Sequence, residues 1–485
     1  AESRKLLAEE TLMTKPFPNI AVLQENFAPV MAECTAPDLI VEGELPAGLS
    51  GTLYRTGPNP MFPPLGDKHH WFLGEGMVHA IRIEDGKASY RNRWVETDLY
   101  LAQRKEGRRL KDTTFEGAGV PGFDHISRNV ANTNIVWHGD KLLAIDEGSS
   151  PVAMDPFTLE TNGPWDFDGK YSGPMTAHPK IDPETGEMLF FGYMASGPGS
   201  KDYAYNVIDA SGKLTKSEMF EGPYACMMHD FITTDEHVIF PLFPATIDVE
   251  RIMNGGPTIA WDPEERSYMG VMARNEGVDK IRWFEGDPCY VYHPMNAYTV
   301  KEGGKTKVVA DMMKYDRVPL FPNADGTKAS QIGLDTGKLV RWVMDLDGNT
   351  NSYTETQLSE IAGEFPRLDE RRTGLSYRHG FHAALFGKKE VGSPFDTIVH
   401  VDVETGQSVT YTPGPGKYVH EPVFVPRSPT AVEGDGYVVT LVYDKETNLS
   451  DFIVLDTGDI SKGPIATVHL PIRVPFGFHG NWRSD

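Results

Sequence analysis

The side chains with most chemistry to offer are fifteen histidines, spread over 485 residues. A neutral imidazole is the commonest protein ligand for a transition metal. Four histidines share a setting. His178 lies in MTAHPKIDP, His229 in YACMMHDF, His293 in YVYHPMNAY and His479 in GFHGNW. Each has apolar or small neighbours and stands near the start or end of a strand-like run. That setting suits side chains directed at a central axis. Periodicity does not select ligands among the fifteen, because metal ligands on separate parts of a fold can lie far apart in the chain. A histidine beside an apolar run is commonly a hydrogen-bonded core residue, and on the residues alone that alternative stays open. His69, His70, His125 and His469 sit in polar, strand-edge or loop contexts and read as ordinary.

The elements that must position such residues are short. HAIRIEDGKASYRNRWV (79–95), NIVWHGDKLLAID (134–146) and KIDPETGEMLFFGY (180–193) each read as strand, tight turn, strand. So do segments 205–220, 342–358, 398–413 and 436–456. Asp, Gly and Asn at the turns between apolar runs are the hairpin signal. No segment sustains a 3.6-residue period over 15 residues. The chain reads as all-β. So many hairpins need an arrangement that hides strand edges, and radial repetition in a β-propeller provides one. A stacked sandwich is the other solution. No clean 40-residue repeat occurs, so a regular array of WD type is excluded. Residues 1–35 read as an N-terminal arm and the start of a cap, with a short helix or frayed arm over 1–16. Residues 36–485 read as one domain. Stretches 96–128 and 241–290 read as cap-forming excursions from the scaffold.

Composition narrows the partners. Net charge is −23, which disfavours nucleic acid because phosphate binding needs a basic face. No obligate protein partner is evident. Cys34, Cys226 and Cys289 are far apart and odd in number, which points away from structural disulfides and toward a reducing, cytoplasmic setting. No run of 18 apolar residues is present, and AESRKLLAEETLMTKPF lacks the apolar core of a secretory signal.

An ordered set of motifs carries a resemblance over nearly the whole chain. ENFAPV (25–30), GTLYRTGPNP (51–60), HWFLGEGMVHA (70–80) and ANTNIVWHGDKLLA (131–144) come first. TAHPKIDPETGEM (176–188), MMHDF (227–231), HEPVFVPR (420–427), EGDGYVVTLVYD (433–444) and LPIRVPFGFHGNW (470–482) follow. With these the chain resembles the carotenoid cleavage oxygenase family, whose members cleave apocarotenoids, stilbenes and aryl alkenes. The resemblance implies a seven-bladed β-propeller with a helix and loop cap. It implies one Fe(2+) per chain on the axis, held by His178, His229, His293 and His479, with O2 as co-substrate. Glu147, Glu364 and Glu421 match three family glutamates that accept a hydrogen bond from Nδ1–H of the iron-bound histidines, so that Nε2 faces the metal. His237 then reads as structural, and Cys226 as a small core residue.

The implied reaction is oxidative cleavage of a conjugated C=C bond to two carbonyl products. Thr133 matches a residue whose methyl crowds an open iron position; a strand threonine with a local hydrogen bond is the plainer reading. Phe72 matches a substrate-facing position, and a core aromatic is its alternative. Stilbene- and isoeugenol-cleaving members place a Lys just before the first glutamate and a Tyr upstream, both on the phenol. Here those positions offer Asp146 and Phe115, and an Asp does not favour a phenolate. An apolar apocarotenoid is therefore the expected substrate, with an aryl alkene or stilbene as the alternative. A retinoid-type isomerase and a non-catalytic propeller are further alternatives. Peripheral membrane contact is implied through PLFPATI (241–247), VPLFPN (318–323) and the basic RKEGRRLK (104–111); a solvated charged face is the other reading of the last.

Overall fold

A computed structural model describes residues 16–328, 336–388 and 395–485. The expected helix or arm over residues 1–16 lies almost entirely outside these. Strands dominate, and they form a seven-bladed propeller. All seven hairpins read from the sequence are antiparallel pairs in it.

Six blades begin with an innermost strand that starts or lies close to the axis. In blades 2 to 7 these strands are Asn134–His138, Lys180–Ile181, Ile232–Thr233, Tyr290–Glu302, Glu364–Leu368 and Val423–Pro426. Blade 1 takes its innermost strand from the end of the chain: Gly480–Ser484 pairs with Gly51–Pro58. Blade 7 in turn borrows Val41–Gly43, which pairs with Pro464–His469. The ring is thus closed twice, each time by one end of the chain completing a sheet built by the other. Closure of this kind leaves few free strand edges.

The middle strands are buried on both faces. Met188–Gly192 is buried at all five positions, and Gly436–Asp444 at all but the last. Outer strands alternate instead, as in Leu214–Glu221, where Thr215, Ser217, Met219 and Glu221 face solvent. A recurring turn sets several outer hairpins. Asp155, Asp182, Asp402 and Asp444 each accept hydrogen bonds from the amides two and three residues on, the latter always a Thr. This Asp-x-x-Thr turn is the trace of repetition that overall spacing conceals.

Two sequence expectations need correction. The excursion read as 241–290 is really about 243–266, because Ser267–Ala273 and Arg282–Gly286 are strands of blade 4. Met269, Gly270 and Met272 have weak strand preference, and burial removes the polar alternation that would have marked the first of these strands. The runs at 241–247 and 318–323 are not exposed apolar patches: the first is buried throughout, and the second is half buried and half partly buried. In the basic stretch, Arg109 is buried against Glu75 rather than solvated. The excursion at 96–128 holds the helix Asp98–Glu106, capped by the Thr97 hydroxyl accepting from the Tyr100 amide at 3.1 Å and ended by left-handed Gly107. No helix among the described residues is long and apolar enough to cross a membrane.

Several histidines away from the axis are held neutral by burial. Desolvation lowers His70 and His382 to about 4 and His79 to about 3. The unfolded chain binds protons at these sites below pH 6.5 while the folded chain does not, so their contribution to stability falls on acidification. Each is expected to cost about 1.4 kcal/mol per pH unit between 6.5 and its folded value. Chemical denaturation of the metal-free protein from pH 7.5 to 5 measures this. A stability that is flat or rises on acidification contradicts it.

Candidate metal centre

The innermost strands deliver one residue each to the axis. Thr133 precedes the first strand of blade 2, His178 stands two residues before that of blade 3, and His229 three before that of blade 4. His293 lies within the first strand of blade 5, where the pairing register shifts. Glu364 opens the strand of blade 6, Glu421 precedes that of blade 7, and His479 immediately precedes Gly480 of blade 1. Residues 346 positions apart in the chain, Thr133 and His479, therefore become neighbours around one point.

The four histidines are buried, and one nitrogen of each lies within 4.8 Å of the others. Nε2 of His229 is 3.0 Å from that of His178 and 3.1 Å from that of His293. Three of the rings are anchored from behind. Nδ1 of His293 meets Glu364 at 2.6 Å, Nδ1 of His479 meets Glu421 at 2.8 Å, and Nδ1 of His229 meets Glu147. A carboxylate accepts only, so each Nδ1 carries the proton and each Nε2 presents a lone pair. Lone pairs facing each other at 3.1 Å repel unless a cation lies between them. The donor set therefore fits a divalent transition metal.

Electrostatics hold this state. Burial pushes the Glu421 carboxyl up, but Arg367 and His479 outweigh it and bring it down to about 2. Burial likewise opposes ionisation of Glu364, and His293 outweighs it. Burial lowers His479 to about 4 despite Glu421, so it is a neutral imidazole at pH 7. His178 is held well below its usual value by burial and by the neighbouring histidines.

Above the histidines lies a cavity of about 370 Å³, walled by Trp71, Phe72, Phe115, Tyr292 and Phe478 among others. Phe72 packs edge-on against Tyr292 and Phe478. Phe115 packs on His70 and Phe321. His70, read from sequence as an ordinary loop residue, packs behind this wall against Phe72, Phe115 and Phe321. Thr133 borders the cavity, but its hydroxyl donates to Asn132 at 2.9 Å. Asp146 borders it too, with its carboxylate committed to the amides of Val130 and Gly148 and the hydroxyl of Ser149, each at 3.1 Å. It shapes the turn that presents Glu147. His237 bonds Thr299 at 3.1 Å, and Cys226 is buried in the largest hydrophobic cluster.

Sequence reasoning passed over Asp230, whose carboxylate lies 3.7 Å from Nδ1 of His178 and 2.8 Å from Lys180. It stands behind the one histidine that lacks a glutamate, and its position directly after His229 was the available signal. Tyr193, which donates to Glu147 at 2.7 Å, had no such signal.

Glu364→Gln is expected to weaken metal binding about 10- to 100-fold, because an amide can donate to Nδ1 and so unlock the tautomer. Competition with a chelator measures this, and wild-type affinity in the variant contradicts it.

The model of the retinal pigment epithelial membrane protein family, RPE65, matches residues 27–484. The chain is 37% identical to an isoeugenol monooxygenase of Pseudomonas nitroreducens over 94% of its length and 96% of that protein. A crystal structure of Pseudomonas brassicacearum lignostilbene dioxygenase superposes with a TM-score of 0.91 at 37% identity, covering 97% of this chain and 100% of that one. A variant of Synechocystis apocarotenoid oxygenase gives a TM-score of 0.84 at 28% identity over 96% and 98%. The chain belongs to the RPE65 family, that of the carotenoid cleavage oxygenases.

Proposed function

We propose that His178, His229, His293 and His479 hold one Fe(2+) ion and that the enzyme oxidatively cleaves a conjugated C=C bond to two carbonyl products. Four neutral imidazoles leave the ferrous charge uncompensated and coordination positions free, which suits O2 chemistry better than a closed structural site. Bound ferrous iron supplies activation of O2 beside the alkene. The chain's own residues do the rest. The aromatic wall holds one double bond over the histidines and keeps water out. Thr133, with its hydroxyl proton spent on Asn132, offers its methyl to the cavity and narrows the space beside the metal.

One observation carries the substrate reading. Most polar side chains in the depth of the cavity already have partners in the protein, the buried Nε1 of Trp71 being an exception. Tyr193 donates to Glu147, Tyr292 donates to the Pro319 carbonyl at 2.8 Å, Asn132 donates to the carbonyls of Phe72 and Gly74, and Asp146 is bound by its own loop. An interior with most of its hydrogen bonds spent favours an apolar polyene of apocarotenoid type. A second reading, an aryl alkene, is favoured by the 37% identity to the isoeugenol and lignostilbene enzymes. It is favoured also by a volume near the lower end of ligand pockets, about 300–1,000 Å³. An apolar substrate of either kind fits supply from a lipid surface, and absence of vesicle co-sedimentation would remove that part of the reading.

Turnover of an apocarotenal in competition with resveratrol and isoeugenol, with products identified by mass, separates the two. Two carbonyl fragments from the apocarotenal are expected. Turnover of the phenols alone establishes the second reading instead. Phe72→Ala should lower kcat/KM about tenfold or more through lost apolar contact, with iron content unchanged. An unchanged kcat/KM would return Phe72 to the role of a core aromatic.

A further inference from the structure

The carboxylates behind the histidines are not alike. Glu147 is partnered by the phenol of Tyr193, and Glu364 by the Phe365 amide and Tyr315. Neither has a lysine or arginine among the described residues. Glu421 has two: Arg367 Nη1 lies 3.2 Å from Oε1, and Arg55 Nη1 lies 3.8 Å from Oε2. Asp230 has Lys180. The cations therefore gather on the side of the ring that carries His479 and His178.

Arg55 is the unusual member. It is 2% exposed, and none of its three guanidinium nitrogens has a hydrogen-bond partner among the described residues. A guanidinium used as a structural rivet spends its fork of donors on carbonyls or carboxylates, as Arg367 does on the Gly480 carbonyl and Asn481. Burying a charge without hydrogen bonds is costly, and the Glu421 carboxylate at 3.8 Å offsets it only in part. Its placement is nevertheless fixed. Arg55 pairs in register with Gly480, and the next amide, Thr56, donates to the His479 carbonyl at 3.0 Å. The charge is held one carboxylate away from a metal-facing imidazole.

We propose that Arg55, backed by Arg367, is an electrostatic positioning residue. It offsets the Glu421 charge so that the centre retains a net positive potential and its iron stays ferrous in the presence of O2. This rests on the iron reading above. A positive charge near the metal disfavours the ferric form, and low local dielectric lets it act across the Glu421–His479 link. The uncompensated Glu147 and Glu364 push in the opposite direction, so removing one guanidinium tips the balance.

The test is a mediated redox titration of the iron-loaded protein, following the ferric EPR signal, with iron content and thermal midpoint measured on the same samples. Arg55→Met keeps the apolar stem and deletes the charge. It is expected to bind one iron, to keep or raise its thermal midpoint, and to shift the ferric–ferrous equilibrium toward ferric about tenfold, or about 59 mV for one electron. Arg55→Lys should return the potential to the wild-type value, and Arg378→Gln, at the surface, should leave it there. If Arg55→Met does not fold, Arg55→Gln carries the same expectation. An unchanged potential with a lowered thermal midpoint overturns the proposal and makes Arg55 structural. Wild-type protein that takes up no iron overturns the iron reading, and this inference with it.

Discussion

Four imidazole lone pairs crowded within 4.8 Å repel one another, and the fold exists around the means of keeping them there. A lone histidine in a protein interior can rotate, change tautomer or accept a stray proton. Here each of three rings is fixed by a carboxylate on Nδ1, and burial makes protonation of His178 and His479 expensive. The carboxylates are buried or nearly so in turn, which demands partners of their own: Tyr193, the Phe365 amide, Arg367 and Arg55. The centre is a set of nested obligations, each layer stabilising the one inside it. A divalent cation relieves the innermost repulsion.

A propeller meets these obligations economically because its innermost strands all start near one axis. Each blade contributes a residue at that point, so a ligand and its carboxylate come from different blades. His293 of blade 5 meets Glu364 of blade 6, and Glu421 of blade 7 meets His479 of blade 1. The last of these depends on the closing strand Gly480–Ser484, which carries His479 into place by pairing with Gly51–Pro58. Ring closure and site assembly are thus one event, and metal binding should be coupled to the stability of blade 1. The loops that leave the blades on one side supply the aromatic wall, so chemistry and substrate selection are carried by different parts of the chain.

Much of this was legible in the sequence, for definable reasons. Hairpins announce themselves through turn residues, and all seven that were read are present. The four histidines and three glutamates sit in local motifs, so a family resemblance could number them although 301 residues separate His178 from His479. Other features were hidden. The strand Ser267–Ala273 lacks alternation because it is buried nearly throughout. PLFPATI reads as a greasy surface but lies in the core, since hydropathy does not distinguish a docking patch from packing. Asp146 reads as a substrate contact, yet its oxygens are turned to backbone amides. Arg55 in a strand looks like any surface arginine; only three dimensions show it buried behind Glu421.

The most direct test of the central claim is iron K-edge absorption on anaerobically reconstituted protein, with metal content measured in parallel. The account predicts one iron per chain with imidazole nitrogen from four histidines and no carboxylate bound to the metal. Failure to take up iron, or a ligand set containing a protein carboxylate, would contradict it.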